Sequence, residues 1–548
     1  MTKVSRLQDG TGTAILLHKS YFSNQKVVVT MDASLNTSST SRASRIKKLS
    51  VSIIGAGPAG LTAAYLLAKE GVEVTVLESD PQYVGGISKT VKHNGFHFDI
   101  GGHRFFSKSK QVEEFWNEIL PNDMLDRPRS SRIYYRNQFF NYPLKPVDAL
   151  LKLGIFESIR CVLSYFKARI WPHKNPVSFQ DWVTNQFGSR LFIIFFKTYT
   201  EKVWGMSCKD ISADWAAQRI KGLSLFSAVK SALFPNRPKS KKNLIKTLID
   251  SFRYPRKGPG MMWETCAERV TQMGGTILMG HKAASLIWNK DSKNWKLLTQ
   301  PASDTVEPIT LVSDHIISSG PMREIVQSIS PLLPGNVIQS AKGLGYRDFL
   351  TVTLVLRGKE LFDDNWIYIH DPSVKVGRIQ NFKSWSPEMV PDPTYGCYGL
   401  EYFCFEGDGL WTMSDPDLIS LAQVELQKIG LGNECEFIQG YVVRQTKAYP
   451  IYDEHYLKHV ETIREYLELH LPTLHMAGRN GMHKYNNQDH AIMTAMLTVQ
   501  NILAGEKVYN VWQVNQDAEY HESGTSPSQD SASGLRAVPS SITQKNAA

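Results

Sequence analysis

Leu49-Ser50-Val51-Ser52-Ile53-Ile54-Gly55-Ala56-Gly57-Pro58-Ala59-Gly60 decides how this chain is read. An apolar run of strand length leads into a G-x-G-x-x-G turn. A helix is expected from about Ala59 to Lys69, stopped by Gly71, and a second strand over Val72–Leu77 ends in Glu78. That is a complete β-α-β unit. Each residue type has a physical task. Gly55 permits the tight turn, Gly57 lets a pyrophosphate approach the backbone, and Gly60 lets helix and strand pack closely. The helix opening at Ala59 offers free N–H groups and a positive dipole to phosphate. Glu78, about 20 residues on, can accept hydrogen bonds from ribose hydroxyls. The expected ligand is a dinucleotide.

Gly85-Gly86-Ile87-Ser88 follows soon after the second strand. A glycine pair lets backbone N–H groups reach a cofactor pyrophosphate and ribityl chain. Its place after Glu78, as E-x-x-x-x-x-x-G-G, combined with the fingerprint directs the reading to FAD rather than NAD, with Ser88 as a further cofactor contact. No second fingerprint is evident, since Gly258-Pro259-Gly260 and Gly274-Gly275 lack the spacing. NAD(P)H, if it is the reductant, would therefore react at the flavin site itself.

Phe98-Asp99-Ile100-Gly101-Gly102-His103 resembles the F-D-x-G-G-H segment of the FAD-containing superfamily of amine oxidases, protoporphyrinogen oxidases and UDP-galactopyranose mutases. Ala477-Gly478-Arg479-Asn480-Gly481, then Lys484-Tyr485-Asn486-Asn487-Gln488-Asp489-His490, resembles the G-R-F-G … K-Y … N-Q-D-H stretch of the mutases. Ala448-Tyr449-Pro450-Ile451 is similar to the Y-P-[IV] segment that precedes it. Lys202-Val203-Trp204, Ala213-Asp214-Trp215 and Arg219 are similar to the mutases' substrate-domain stretch.

The resemblance implies a flavoenzyme in which N5 of reduced FAD attacks the anomeric carbon of UDP-galactopyranose, an isomerisation without net redox change. The same scaffold also serves hydride-removing oxidoreductases of the amine oxidase, protoporphyrinogen oxidase and desaturase type, the alternative function. Carried over by position, the flavin contacts are Gly101, Gly102, His103, Gly478, Arg479, Asn487 and Gln488, beside the glycines above. The substrate contacts are Tyr368, Arg378, Tyr485 and Asn487, with Arg378 on the diphosphate. His103, Arg378 and Tyr368 are the expected catalytic group. The family's other diphosphate arginine falls on Lys197, which keeps the charge but loses the bidentate fork.

The implied architecture is α/β: a discontinuous Rossmann-type FAD-binding domain with inserted substrate domains. The FAD domain would combine 48–125, 256–330 and 473–505. A helical insertion would occupy 126–255, and an antiparallel sheet over 331–472 would complete the pocket. Thr276–Met279, His315–Ser318, Thr351–Leu356, Trp366–Ile369 and Gly399–Cys404 read as strands. Residues 1–47 and 523–548 read as disordered tails, the first of them a transit-like segment or an over-long start.

Composition sets outer bounds. The 548 residues allow several domains, and 42% hydrophobic with 21% charged is ordinary for a globular chain. No run of about 18 apolar residues is present, which argues against a membrane span. The net charge of +10 reads as a lysine-rich surface, or as a mild preference for acidic partners such as nucleotide sugars, phosphates, anionic lipid or nucleic acid. Nothing resembles a zinc finger or a nucleic-acid module, so neither metal nor nucleic acid is expected. Six scattered cysteines without a C-x-x-C pair point to a reducing, cytoplasmic setting. From Pro146 to Lys174, Leu150, Leu151, Leu153, Ile155, Ile159, Leu163 and Phe166 give an apolar helical face, and Lys152, Arg160, Lys167 and Arg169 a basic one. Such a face covers a core in most proteins, or lies weakly on a membrane surface. The basic stretch Pro235–Lys246 reads as a solvated linker.

Overall fold

The computed structural model describes residues 49–142, 144, 146–213, 251–303, 307–358 and 362–515. Asp214, Trp215, Arg219, the basic stretch 235–246 and both tails lie outside the described residues. The β-α-β unit forms as β1 (Ser50–Ile54), α1 (Pro58–Lys69) and β2 (Glu73–Glu78). β1 pairs in parallel with β2, Val51 opposite Val74 and Ile53 opposite Val76. Distant segments complete the sheet: β3 (Thr276–Met279), β4 (His315–Ser318) and β5 (Leu474–Met476), in the order β5-β4-β1-β2-β3. Burial on both faces explains why the central strands read as continuous apolar runs rather than alternating ones.

Helix α1 is close to apolar all round, with Leu61, Ala63, Ala64 and Leu67 fully buried. A second apolar helix, Gln488–Ala504, packs on it through the same core, which holds Ala491, Ile492 and Ala495. Helices hydrophobic on every side sit inside a protein, and both of these do.

The second half is built on a seven-stranded sheet. In order it runs Cys435–Pro450, Tyr346–Gly358, Tyr395–Cys404, Arg378–Asn381, Trp366–Ile369, Ser131–Tyr135 and Gln138–Asn141. The last two strands come from the stretch read as a helical insertion. Trp366–Ile369 meets Ser131–Tyr135 in parallel, so the sheet is mixed rather than wholly antiparallel. The local cause is a hairpin. Arg136 and Asn137 both take positive φ (48° and 59°), as a two-residue turn between right-twisted strands requires. The insertion leaves and returns side by side, because Met124–Pro128 pairs antiparallel with Ser251–Pro255.

The 146–174 stretch forms two helices, Pro146–Leu153 and α2 (Ile155–Ile170), split at Gly154 with φ of 83°. α2 buries Cys161, Tyr165 and Ala168 and leaves its larger side chains in solvent. The expectation that its apolar face covers a core is therefore corrected: a face of smaller area packs inward. Among the described residues no helix is long and apolar enough to cross a membrane.

Candidate dinucleotide and substrate site

The glycine turn shows why only glycine serves there. Gly55 sits at φ of 95°, and a Cβ on Gly60 would stand 1.8 Å from the Gly55 carbonyl oxygen. Gly57 precedes α1 with no side-chain cap, so the first helical N–H groups point outward without a protein acceptor supplied by a capping side chain. Glu78 is tied to this turn: its carboxylate accepts from the Ala56 N–H at 2.8 Å and the Asp80 N–H at 2.9 Å. Burial raises its pKa, and those two hydrogen bonds work against the rise. The second glycine loop locks onto the first. Gly85 donates to the Ala56 carbonyl at 2.8 Å, and Gly85 and Gly86 hold φ of 101° and 55°.

These elements line a cleft of about 350 Å³, with Gly55, Gly57, Ala59, Glu78, Gly86 and Ser88 on one side. Gly478, Arg479, Asn487 and Gln488 line the other. Gly478, at φ of 76°, lies so near α1 that a Cβ would come within 2.9 Å of the Ala59 Cβ. Arg479 Nε donates to the Asn486 carbonyl at 2.9 Å, which fixes its guanidinium. Asn487 starts the Gln488–Ala504 helix, and its N–H donates to His490 Nδ1 at 3.2 Å. Gln488 Oε1 accepts from Trp263 Nε1 at 3.0 Å, while Gln488 Nε2 is buried with no protein partner. An orphaned donor in a glycine-lined cleft, beside an open helix N-terminus, fits a dinucleotide with polar oxygens along its length. Gly60 and Gly85 shape this wall without lining it.

Gly101, Gly102 and His103 lie outside that lining, against the seven-stranded sheet. A Cβ on Gly101 would be 3.6 Å from Arg378 Nη2, and one on Gly102 3.3 Å from Gln380 Oε1. His103 Nε2 donates to the Ile100 carbonyl at 2.8 Å. Desolvation, then the nearby Arg479 charge, pushes the His103 pKa down to about 3, so the ring is neutral.

Arg378 stands across from Tyr368 on one neighbouring strand and Glu401 on the other. Its Nε donates to Glu401 Oε2 at 2.7 Å, and Gln380 donates to the other carboxylate oxygen. Glu401 is 0% exposed. Burial opposes the Arg378 charge, but the adjacent Glu401 carboxylate outweighs it and holds the guanidinium pKa well above its ordinary value. Tyr368 meets Tyr142 and Tyr199 edge-on, with centroids 5.1 and 5.3 Å away. Tyr199 stacks on His370 at 4.9 Å, and Tyr449 stacks on Tyr485 at 5.6 Å. The Arg479 guanidinium lies over the Tyr485 ring at 4.8 Å.

Tyr449 joins the two sets, since it interacts electrostatically with both Arg378 and Arg479, so Tyr368, Arg378, Tyr485 and Arg479 belong to one aromatic and cationic cluster. Lys197 does not join it. It ends a π-helical turn, Ile193–Lys197, with an exposed side chain, while Tyr199, two residues on, packs against Tyr368. Tyr199, Tyr449 and Glu401 belong to this candidate site and were not among the residues expected from the sequence. Tyr449 lay inside the quoted Tyr-Pro-Ile segment, and Tyr199 lies in the Lys197–Trp204 stretch that carries the resemblance; for Glu401 no sequence signal existed, because cross-strand neighbours are not written in spacing.

Residues 53–119 match the NAD(P)-binding Rossmann-like domain family. The chain is 27% identical over 171 residues to dTDP-fucopyranose mutase of Escherichia coli, covering 30% of this chain and 44% of that one. The chain thus spans less than half the length of that curated mutase. It is 22% identical to protoporphyrinogen oxidase 2, chloroplastic/mitochondrial, of Arabidopsis thaliana, over 78% of this chain and 89% of the relative. The crystal structure of reduced UDP-galactopyranose mutase superposes with a TM-score of 0.73 at 21% identity, covering 87% of this chain and 98% of the other. The chain thus has the fold seen in reduced UDP-galactopyranose mutase, and parts of its sequence are similar to dTDP-fucopyranose mutase and to protoporphyrinogen oxidase 2.

Proposed function

We propose that the chain is an FAD-dependent isomerase of a nucleotide sugar, acting on UDP-galactopyranose or a close analogue. The observation that carries this reading is the cluster of Arg378 and Arg479 among Tyr199, Tyr368, Tyr449 and Tyr485, packed beside the Gly101–His103 loop. Guanidinium groups suit a diphosphate, and tyrosine rings with hydroxyls suit a sugar and a uracil.

FAD when bound and reduced would supply the nucleophile, N5, toward the anomeric carbon. The chain's residues do the rest. The Gly55–Gly57 turn and the start of α1 would hold the pyrophosphate, and Glu78 a ribose hydroxyl. Gly86 and Ser88, on the loop that Gly85 shapes, would meet the ribityl side, with Gln488 Nε2 donating from the opposite wall. Gly101, Gly102 and the neutral His103 would flank the ring, with Gly478 and Arg479 closing it. Arg378, whose Nε is engaged by Glu401, would offer its terminal nitrogens to the departing UDP. Tyr368, Tyr485 and Asn487 would border the substrate, and Lys197 would act only from the rim.

One observation favours a second reading, an oxidoreductase of the protoporphyrinogen or amine oxidase type. The buried Glu401 neutralises Arg378, which lowers the net positive charge available to a diphosphate.

UDP titration of the flavin absorbance separates the two. Arg378→Ala is a poor probe, because it strands a buried carboxylate at a cost of about 3–5 kcal/mol. Arg378→Lys keeps the charge and loses the fork, and UDP affinity should fall by about tenfold with FAD retained. Unaltered spectra on adding UDP, together with flavin reduction by an apolar donor, would support the second reading instead.

A further inference from the structure

Helix α2 has its amphipathicity turned outward. Ile155, Phe156, Ile159, Val162, Leu163, Phe166 and Ile170 are 40% to 82% exposed. At about 100° per residue, these positions fall within a single arc of about 120° with no polar residue in it. Cys161, Tyr165 and Ala168, on the opposite side, hold the helix to the protein. Trp171, just past its end, is 71% exposed, and Leu151, just before its start, is 77% exposed. A surface helix of a freely soluble chain shows the reverse arrangement.

The charges bordering the arc are of one sign. Arg169 follows it on one edge, and Lys167 and Arg160 on the other, all exposed. The helix's one acidic residue, Glu157, lies on the protein side and is engaged by Arg190 through both carboxylate oxygens. An apolar stripe bordered by cations on both edges, with a tryptophan at its end, complements an anionic lipid surface: acyl chains beneath, phosphate and serine headgroups at the edges. Sixteen residues make a helix of about 24 Å, long enough to lie along the interface.

We infer that α2 docks this protein on the surface of an anionic phospholipid bilayer, lying in the plane of the headgroups. The inference stands apart from the proposed reaction. It does bear on the site, because α2 shares a hydrophobic core with the elements that carry Tyr368 and Tyr485.

The test is co-sedimentation of the full FAD-loaded chain with vesicles of phosphatidylcholine alone, or of three parts phosphatidylcholine to one part phosphatidylserine. The wild type should partition to the serine-containing vesicles at least on the order of tenfold more strongly, with that preference falling at high salt. Ile159→Gln/Leu163→Gln/Phe166→Gln should abolish binding to both while keeping the wild-type melting temperature. Lys167→Glu/Arg169→Glu should lose the preference for phosphatidylserine. Absence of vesicle binding by the wild type would overturn the inference. So would a wild-type dimer that the triple variant splits, since the face would then belong to a second copy. A large drop in the triple variant's melting temperature would overturn it too, because the face would then be covered within the chain.

Discussion

Glu78 and Glu401 are both buried carboxylates, one in each half of the molecule, yet only one is visible in the sequence. Glu78 announces itself because it ends a strand at a set distance from a glycine turn, and its partners are backbone groups of that same unit. Glu401 is placed by strand pairing: Arg378 reaches it only because Arg378–Asn381 lies against Tyr395–Cys404 in one register. Histidine tells the same story in energetic form. His370 and His483 are buried, and desolvation first of all pushes their pKa values down to about 3 and about 4. An unfolded histidine titrates near ~6.5, so below that pH the unfolded chain takes up protons that these folded sites refuse. Their contribution to stability is therefore complete above ~6.5 and is lost as pH falls toward their folded values. Isotope-labelled histidine NMR should show both rings neutral at pH 5. A protonated His370 at that pH would mean that water reaches the Tyr199–Tyr368 cluster.

At the scale of elements, the β-α-β unit was legible almost to the residue, because local chemistry dictates it. Its tolerance is correspondingly narrow. Gly60→Ala would drive a methyl into the Gly55 carbonyl, and a shift of α1 to relieve this would also move the wall formed by Gly478. Overpacking of this kind costs about 1–3 kcal/mol, so the variant should melt earlier and lose flavin on gel filtration. Gly335→Ala, where the new methyl meets nothing within 4 Å, serves as the control and should be silent. Equal behaviour of the two variants would show that close helix-strand approach is not what Gly60 provides. Helix α2 marks the limit of this legibility. Periodicity located the apolar face, but which face a helix presents to the protein depends on what the chain places beside it. Here Phe179–Phe187 and Ser189–Phe192 take the side bearing Cys161, Tyr165 and Ala168.

Across the whole molecule, two halves divide the labour. The parallel sheet and its two apolar helices hold a cleft shaped for a dinucleotide, and a mixed seven-stranded sheet presents tyrosines and guanidinium groups beside it. The first half could be read because its opening and closing stretches carry recognisable segments and its middle stretch reads as two strands. The second could be read only in outline, and the hairpin 131–141 joined a sheet that sequence reading assigned to later residues. Conserved architecture does not choose between isomerase and oxidase, since one scaffold serves both. The reaction itself decides. Purified holoprotein, reduced with dithionite under nitrogen and incubated with UDP-galactopyranose, should yield the furanose isomer on chromatography, and oxidised protein should yield none. Reduced, FAD-loaded protein that binds UDP yet forms no furanose would contradict the isomerase assignment for this substrate.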